Sequence, residues 1–248
     1  MTQTPRVAIV TGGLGGIGRA ICRQLAQRGV HVVAADLQAD AARLDAFAAD
    51  MAGLPVTTLA VDVGNAESCA AAIADVESRH GRLDILVNAA GITRDATLRK
   101  MDTAQWDDVL RINLDSAFHL CRAALEGMVA RGFGRIVNIS SVSGQTGNFG
   151  QTNYAAAKAG LHGFTMSLAR EVAAKGITVN SLSPGYVETP MTSKMPPEVL
   201  ARTVASVPVS RVGQPDDIAR AVVFLVADDA GYITGINLPV NGGLLMGF

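Results

Sequence analysis

Tyr154-Ala155-Ala156-Ala157-Lys158 sets a phenol and an ammonium four residues apart, which on a helix puts both on one face. That pair suits proton transfer at a carbonyl oxygen. Hydride delivery to a ketone leaves an alkoxide that needs a proton, and the reverse reaction needs a base. A free tyrosine, with a pKa of about 10, is a poor base near neutral pH. A lysine cation beside it is expected to favour the phenolate; lowering the pKa by about two to three units corresponds to roughly 3–4 kcal/mol. Thirteen to fourteen residues before Tyr154, the apolar run from Arg135 ends in Ser140 and Ser141. Hydroxyls at the carboxyl end of a parallel strand face the crevice where ligands bind.

A second constellation lies near the amino terminus. Val7–Val10 is an apolar strand candidate, Thr11–Gly18 (Thr-Gly-Gly-Leu-Gly-Gly-Ile-Gly) is a glycine turn, and Arg19-Ala20-Ile21 opens a helix. Glycines allow a sharp turn and bring backbone N–H groups close to a pyrophosphate, while the helix start offers its partial positive charge. Gly12, Leu14, Gly15, Gly16, Ile17 and Gly18 are the candidate phosphate cradle. Asp36 follows Gly18 by eighteen residues, at the end of the next apolar run. A carboxylate there can accept from the ribose hydroxyls of NAD and would repel a 2′-phosphate. The competing use of Asp36 is as N-cap of the following helix. NAD (NADH/NAD+) is therefore the expected cofactor; Arg19 or Arg43 would have to serve NADP instead.

These residues need a frame. Strand candidates are Arg6–Val10, His31–Ala35, Val56–Val61, Ile85–Asn88, Arg135–Ser140, Thr178–Leu182 and Asn237–Val240, with helical stretches at Gly16–Arg28, Ala66–His80, Thr103–Arg131 and Gln151–Ala174. Near-continuous apolar strands alternating with helices predict an α/β fold: one doubly wound (Rossmann) parallel sheet of about seven strands with helices on both faces. No stretch reads as a linker, so residues 1–248 are expected to form one domain. The segment 185–208, rich in Pro, Met, Ser and Thr, interrupts the alternation and reads equally as a lid or as a surface excursion.

Composition narrows the partners. The chain has 248 residues, 49% hydrophobic and 17% charged, enough to build a core without disulfides. A net charge of −1 gives no electrostatic case for nucleic acid or for an anionic membrane. Cys22, Cys69 and Cys121 have no metal-ligand or disulfide spacing, and His31, His80, His119 and His162 form no HxxxH set, so no catalytic metal is expected. The apolar run Val7–Val10 is too short for a signal-peptide core or a bilayer span, and a cytoplasmic location is expected. Asn113, inside the Thr103–Arg131 pattern, reads by itself as a satisfied interior amide.

The chain resembles the short-chain dehydrogenases/reductases over essentially its whole length, through Thr11-Gly12, Gly16-Ile17-Gly18, Asn88-Ala89-Ala90-Gly91, Asn113, Ser141, Tyr154/Lys158 and Ser183-Pro184-Gly185. The resemblance implies Tyr154 as general acid/base and Ser141 on the substrate oxygen. It implies that Lys158 holds the nicotinamide ribose and biases Tyr154, with Asn113 anchoring a water-linked proton relay. It further implies Asp62 and Val63 at adenine, Asn88, Ala89, Ala90 and Gly91 along the cofactor, and Pro184, Gly185, Val187 and Thr189 on the nicotinamide side. Ala89 departs from the family, which usually has a second Asn there; a modest loss of local hydrogen bonding is expected. The family's mobile substrate loop falls on 185–208, and the helices Thr103–Arg131 and Gln151–Ala174 resemble those of its tetramer interface, implying a homotetramer.

Within the family the chain looks most like acetoacetyl-CoA and 3-oxoacyl-acyl-carrier-protein reductases, on Gly91–Asp95, Phe149–Tyr154, Lys158–Thr165, Ser183–Tyr186 and Asn241–Gly243. That resemblance implies an acyl pocket lined by Phe149, Gln151 and Tyr186 beside Ser141 and Tyr154, with a short 3-oxoacyl thioester as substrate. Two aromatics and an amide next to Tyr154 serve an aryl or cyclic ketone equally well. Asp36 pulls toward that second reading, an NAD-dependent secondary-alcohol dehydrogenase, because biosynthetic reductases usually draw on NADPH. A non-catalytic dinucleotide-binding protein should lack one of Ser141, Tyr154 or Lys158, and all three are present.

Overall fold

Seven apolar runs become strands: β1 (Val7–Thr11), β2 (His31–Asp36), β3 (Val56–Ala60), β4 (Ile85–Asn88), β5 (Gly134–Ile139), β6 (Ile177–Pro184) and β7 (Asn237–Val240). The computed structural model describes residues 5–189 and 197–246. The strands pair in parallel in the order β3-β2-β1-β4-β5-β6-β7. The expected strands are all present, with ends shifted by at most two residues.

Period-two alternation sorts the strand side chains onto two faces. Ala8, Val10, Val32, Ala34 and Val87 pack against Ile21 and Leu25 of α1 (Gly16–Ala26) and Ile218 and Val222 of α9 (Pro215–Val226). Val7, Ile9, Val33, Leu86 and Ile136 pack on the other face, against Ile73 of α3 (Ala66–His80), Leu120 and Met128 of α5 (Ser116–Arg131) and Leu168 of α7 (Thr152–Val172). With both faces of the central strands covered, those strands are largely apolar, which is why they stand out in the sequence, while the edge strand β3 leaves Thr57 and Thr58 exposed.

Three features depart from the expected elements. A helix, α2 (Ala41–Asp50), follows β2 and is N-capped by Asp40, whose side chain accepts from Arg43 N at 2.8 Å. The expected helix Thr103–Arg131 is divided: α4 (Thr103–Leu110) passes through a π-helical turn, Arg111–Asp115, before α5. The expected lid 185–208 is not one loop, since α8 (Pro197–Ser206) lies within it, and residues 190–196 lie outside the described residues. A short helix, α6 (Ser143–Thr146), completes the set. Among the described residues, no helix is long and apolar enough to cross a membrane.

The strand order reverses between β1 and β4: the chain winds outward from β1 to β3, then returns to the other side of β1. At such a switch point the connections leave in opposite directions and open a crevice at the carboxyl ends. The glycine turn after β1 and the Asn88–Gly91 segment after β4 both lie there.

Candidate active site

The glycine turn is built so closely that side chains would block it. A Cβ on Gly18 would lie 2.1 Å from the Gly12 carbonyl oxygen, and one on Gly13 would lie 2.8 Å from Ala34. Gly12 has φ +64°, a conformation that favours glycine, and a Cβ there would lie 3.0 Å from Ala90 Cα across the switch point. Helix α1 then starts at Gly16 with Gly15 as N-cap and no side chain capping it. Its first N–H groups therefore stay available to an anion, and the turn has the shape a pyrophosphate requires. Ile17, on the helix just after the cradle, leans on the core.

Asp36 ends β2 directly beside this turn. Its carboxylate accepts from Leu14 N at 3.0 Å and Leu37 N at 2.9 Å, and pairs with Arg43 at 3.3 Å. The N-cap alternative falls away because Asp40 caps α2. Arg19 lies 3.8 Å from Asp50 and against the Phe47 ring. Both arginines with a possible claim on a 2′-phosphate thus already face carboxylates. Asp62 and Val63 follow β3 on the neighbouring strand, where Val61 N donates to the Asp36 carbonyl at 2.7 Å and Asp62 Oδ1 accepts from Gly64 N at 2.9 Å.

Thr11 joins the two sides of the crevice, a function not evident from the sequence. Its hydroxyl oxygen accepts from Ala89 N at 3.0 Å and Ala90 N at 3.2 Å. The segment after β4 is therefore held by its backbone, and alanine at 89 leaves that anchorage intact. Asn88, buried, donates from Nδ2 to Asn138 Oδ1 at 2.8 Å, and Asn138 in turn donates to Thr165. Asn88 Oδ1 is buried without a hydrogen-bond partner.

The reactive side chains converge at the carboxyl ends of β4 and β5. Hydrogen bonding links the Ser141 hydroxyl to the Tyr154 phenol. Lys158 is buried and donates from Nζ to the Ile139 carbonyl at 2.8 Å, and its Nζ stands 5.6 Å from the centroid of the Tyr154 ring. A Cβ on Gly91 would lie 2.7 Å from Asn113 Oδ1 and 3.5 Å from Lys158 Nζ, so glycine there lets these groups share one space. Asn113 sits in the π-helical turn. Its Nδ2 donates to the Ile92 and Val109 carbonyls, each at 2.9 Å, while its buried Oδ1 has no partner. The interior-amide reading thus describes only half of this side chain. Oδ1 remains an open acceptor beside Lys158.

Electrostatics corrects one expectation. The Tyr154 phenol is pushed above its ordinary pKa, first by burial and also by the Asp95 carboxylate; the Ser141 hydrogen bond only moderates the rise. Lys158 does not supply the expected lowering. Its ammonium lies over the ring, and burial brings its own pKa down to about 8. Lys158 still carries its charge near neutral pH, but burial of the phenol itself dominates and keeps it protonated.

The substrate-side residues are less closely assembled. Gln151 accepts from Ser143 and Asn148 and donates to Asp95 at 3.1 Å. Phe149 is 89% exposed and Tyr186 half-buried, so among the described residues no closed acyl pocket forms around them. Pro184 and Gly185 end β6, with Val142 N donating to Pro184 and Gly185 N to Val240. Val187 pairs with Gly213, and Thr189 is the last described residue before 197. The sequence reading also passed over Asn153. It is fully buried and donates to the Arg94 and Gln105 carbonyls while accepting from Tyr154 N, which fixes the helix turn that carries the phenol.

Comparison with known proteins agrees with this geometry. A family model described as Enoyl-(Acyl carrier protein) reductase matches residues 12–245. The chain is 51% identical to acetoacetyl-CoA reductase from Allochromatium vinosum over 243 residues, 97% of this chain and 99% of the relative. It is 48% identical to acetoacetyl-CoA reductase from Cupriavidus necator over 247 residues, 99% of this chain and the whole of that relative. With 3-oxoacyl-acyl-carrier-protein reductase from Haemophilus influenzae it shares 47% identity over 242 residues, 97% of this chain and 98% of the relative.

Proposed function

Because the chain belongs to the short-chain dehydrogenase/reductase family, a family of nicotinamide-dinucleotide oxidoreductases, we propose that it reduces the ketone of a short 3-oxoacyl thioester, of the acetoacetyl-CoA type, with NADH. The observation that carries this reading is the convergence of Ser141, Tyr154, Lys158 and the open Asn113 Oδ1 at the switch-point crevice. The thioester is supported by relatives that bear the name acetoacetyl-CoA reductase and align over the full chain.

The residues divide the work as follows. The glycine turn and the uncapped start of α1 would hold the pyrophosphate, and Asp36 the adenosine ribose. When bound, the dinucleotide supplies the hydride. Ser141 donates a hydrogen bond to the substrate carbonyl oxygen, and Tyr154 gives that oxygen its proton. A phenol held protonated is already in the acid form that reduction uses. Lys158, charged below about pH 8, would hold the nicotinamide ribose. Asn113 Oδ1 would accept from a water that returns a proton toward Lys158.

Asp36 favours NAD(H) over NADP(H), since its carboxylate also engages Arg43. The same residue gives the second reading, oxidation of an aryl or cyclic secondary alcohol by NAD+, which the uncovered Phe149 also suits. The deciding experiment follows nicotinamide absorbance with acetoacetyl-CoA, an aryl methyl ketone and cyclohexanone, each with NADH and with NADPH. The proposal expects the highest kcat/KM for acetoacetyl-CoA with NADH. A higher value for either simple ketone replaces it with the second reading.

A further inference from the structure

We propose that His162 is a positioning residue for this reaction, clamping the Lys158 turn of α7 to the ends of β5 and β6 through one shared N–H; the kinetic part of this inference rests on the function proposed above. Lys158 is gripped twice by consecutive residues. Its Nζ donates to the Ile139 carbonyl, and its own carbonyl accepts from the Ser140 hydroxyl, both at 2.8 Å. The same Ser140 oxygen lies 2.8 Å from His162 Nε2. A hydroxyl has one proton, and a carbonyl has none to return, so the Ser140 proton is committed to Lys158. The contact with His162 must then be an Nε2–H donating to Ser140 Oγ, which fixes the tautomer of the ring.

The second partner of Nε2 repeats this logic. Ser183 Oγ lies 3.3 Å away, and its proton goes to Asn237 Oδ1 at 2.8 Å. One imidazole N–H is therefore shared between two serine oxygens whose own protons point elsewhere. Those serines immediately precede Ser141 on one strand and Pro184-Gly185 on the next. His162 follows Lys158 by one helical turn, so a single ring sets the spacing of the three segments that carry the lysine, the serine and the nicotinamide-side loop. Burial disfavours the charged imidazole, so the ring acts as a neutral donor. An apolar residue at 162 leaves Ser140 short of a donor and loosens its hold on the Lys158 carbonyl.

Two measurements test this. Long-range 15N–1H NMR of the whole protein, without ligand, should show the His162 Nε2–H tautomer; an Nδ1–H ring overturns the proton assignment. Kinetics with acetoacetyl-CoA and NADH should show His162→Leu slower in kcat by about ten- to a hundredfold, the cost of misplacing reacting groups. KM should stay within about twofold in that variant. His162→Gln, whose amide can donate in the same place, should recover most of that loss. Wild-type kcat in His162→Leu, or no recovery in His162→Gln, overturns the positioning role. If His162→Leu does not fold, a His162→Gln enzyme with less than about a tenth of wild-type kcat overturns the role, and one above that supports it. A wild-type protein that reduces none of the carbonyls sinks the proposed function, and the NMR result still decides the clamp.

Discussion

At the amino end of the sheet, Asp84 is fully buried and fully matched. It accepts from Val7 N at 2.9 Å, takes Arg82 through both carboxylate oxygens at 2.7 and 2.8 Å, and faces Arg6 at 3.5 Å. Arg135, also buried there, spends its guanidinium on the Ala227, Gly134, Gly176 and Asp228 carbonyls. At the carboxyl end Lys158 is just as buried, yet it holds one carbonyl and no carboxylate, and the Asn113 oxygen that shares its space has no partner. A cavity of about 370 Å³ opens at the amino end, lined by Arg6, Phe133, Arg135 and Asp228, but its charged groups are already engaged with one another or with backbone. The contrast separates two uses of buried polarity. The matched carboxylate fastens the strands, whereas the Asn113 oxygen is left open to a ligand and costs stability while it waits.

The largest expected effect lies at the carboxyl end. Tyr154→Phe should lower kcat by about three orders of magnitude, the scale of a lost general acid, while NADH affinity measured by fluorescence changes little. Wild-type-like turnover would remove Tyr154 from the chemistry. Next comes the amino end. Asp84→Asn should destabilise the fold by about 3 kcal/mol in urea unfolding, because it leaves Arg82 and Arg6 without their carboxylate, and kcat/KM of the folded fraction should not move. A stable Asp84→Asn would mean that the matched network fastens nothing.

Lys158→Met should do the opposite and stabilise the protein, by about 2 kcal/mol at pH 7 after allowing for the lost hydrogen bond to Ile139, while turnover collapses. The sign follows from proton binding. The folded chain releases this proton near pH 8 and the unfolded chain near 10.5. Between those values the unfolded state holds more protons, so the lysine's cost is full below pH 8 and relieved as pH rises toward 10.5. The stability gap between wild type and Lys158→Met should therefore shrink across that window. A gap independent of pH would show that the ammonium is not strained by burial. The smallest effect is expected at Asp36→Ala, where the NADH/NADPH ratio of kcat/KM should move toward NADPH by about tenfold. An unchanged ratio would take Asp36 out of cofactor choice.

Sequence alone reached most of the frame because a parallel sheet covered on both faces announces itself in apolar runs such as Val7–Val10 and Ile85–Asn88. That Asp36 would stand beside the glycine turn was legible for a similar reason: the spacing is local, and the glycines' steric needs are strict. The electrostatics of Tyr154 was not legible, because burial and Asp95, rather than the lysine four residues on, decide its direction. The contacts of Thr11, Asn153 and His162 were not legible because each residue acts through partners more than twenty residues away or through one shared proton, neither of which leaves a periodic trace. The π-helical turn was hidden too, since its residues, Arg111-Ile112-Asn113-Leu114-Asp115, fit an ordinary helix as well.

That turn has a consequence for how the chain tolerates length changes. One residue advances an α-helix by about 100°, so an extra residue accommodated at Arg111–Asp115 sets the phase of everything after it. Deleting a single residue there would let α4 and α5 fuse into one regular helix. The deletion would also swing Asn113 away from Gly91 and rotate Leu120 and Met128 off the sheet. Elsewhere in the molecule a surface connection can gain or lose a residue at little cost. Here length behaves as rigidly as identity, and the asparagine is defined by its count along the helix as much as by its side chain.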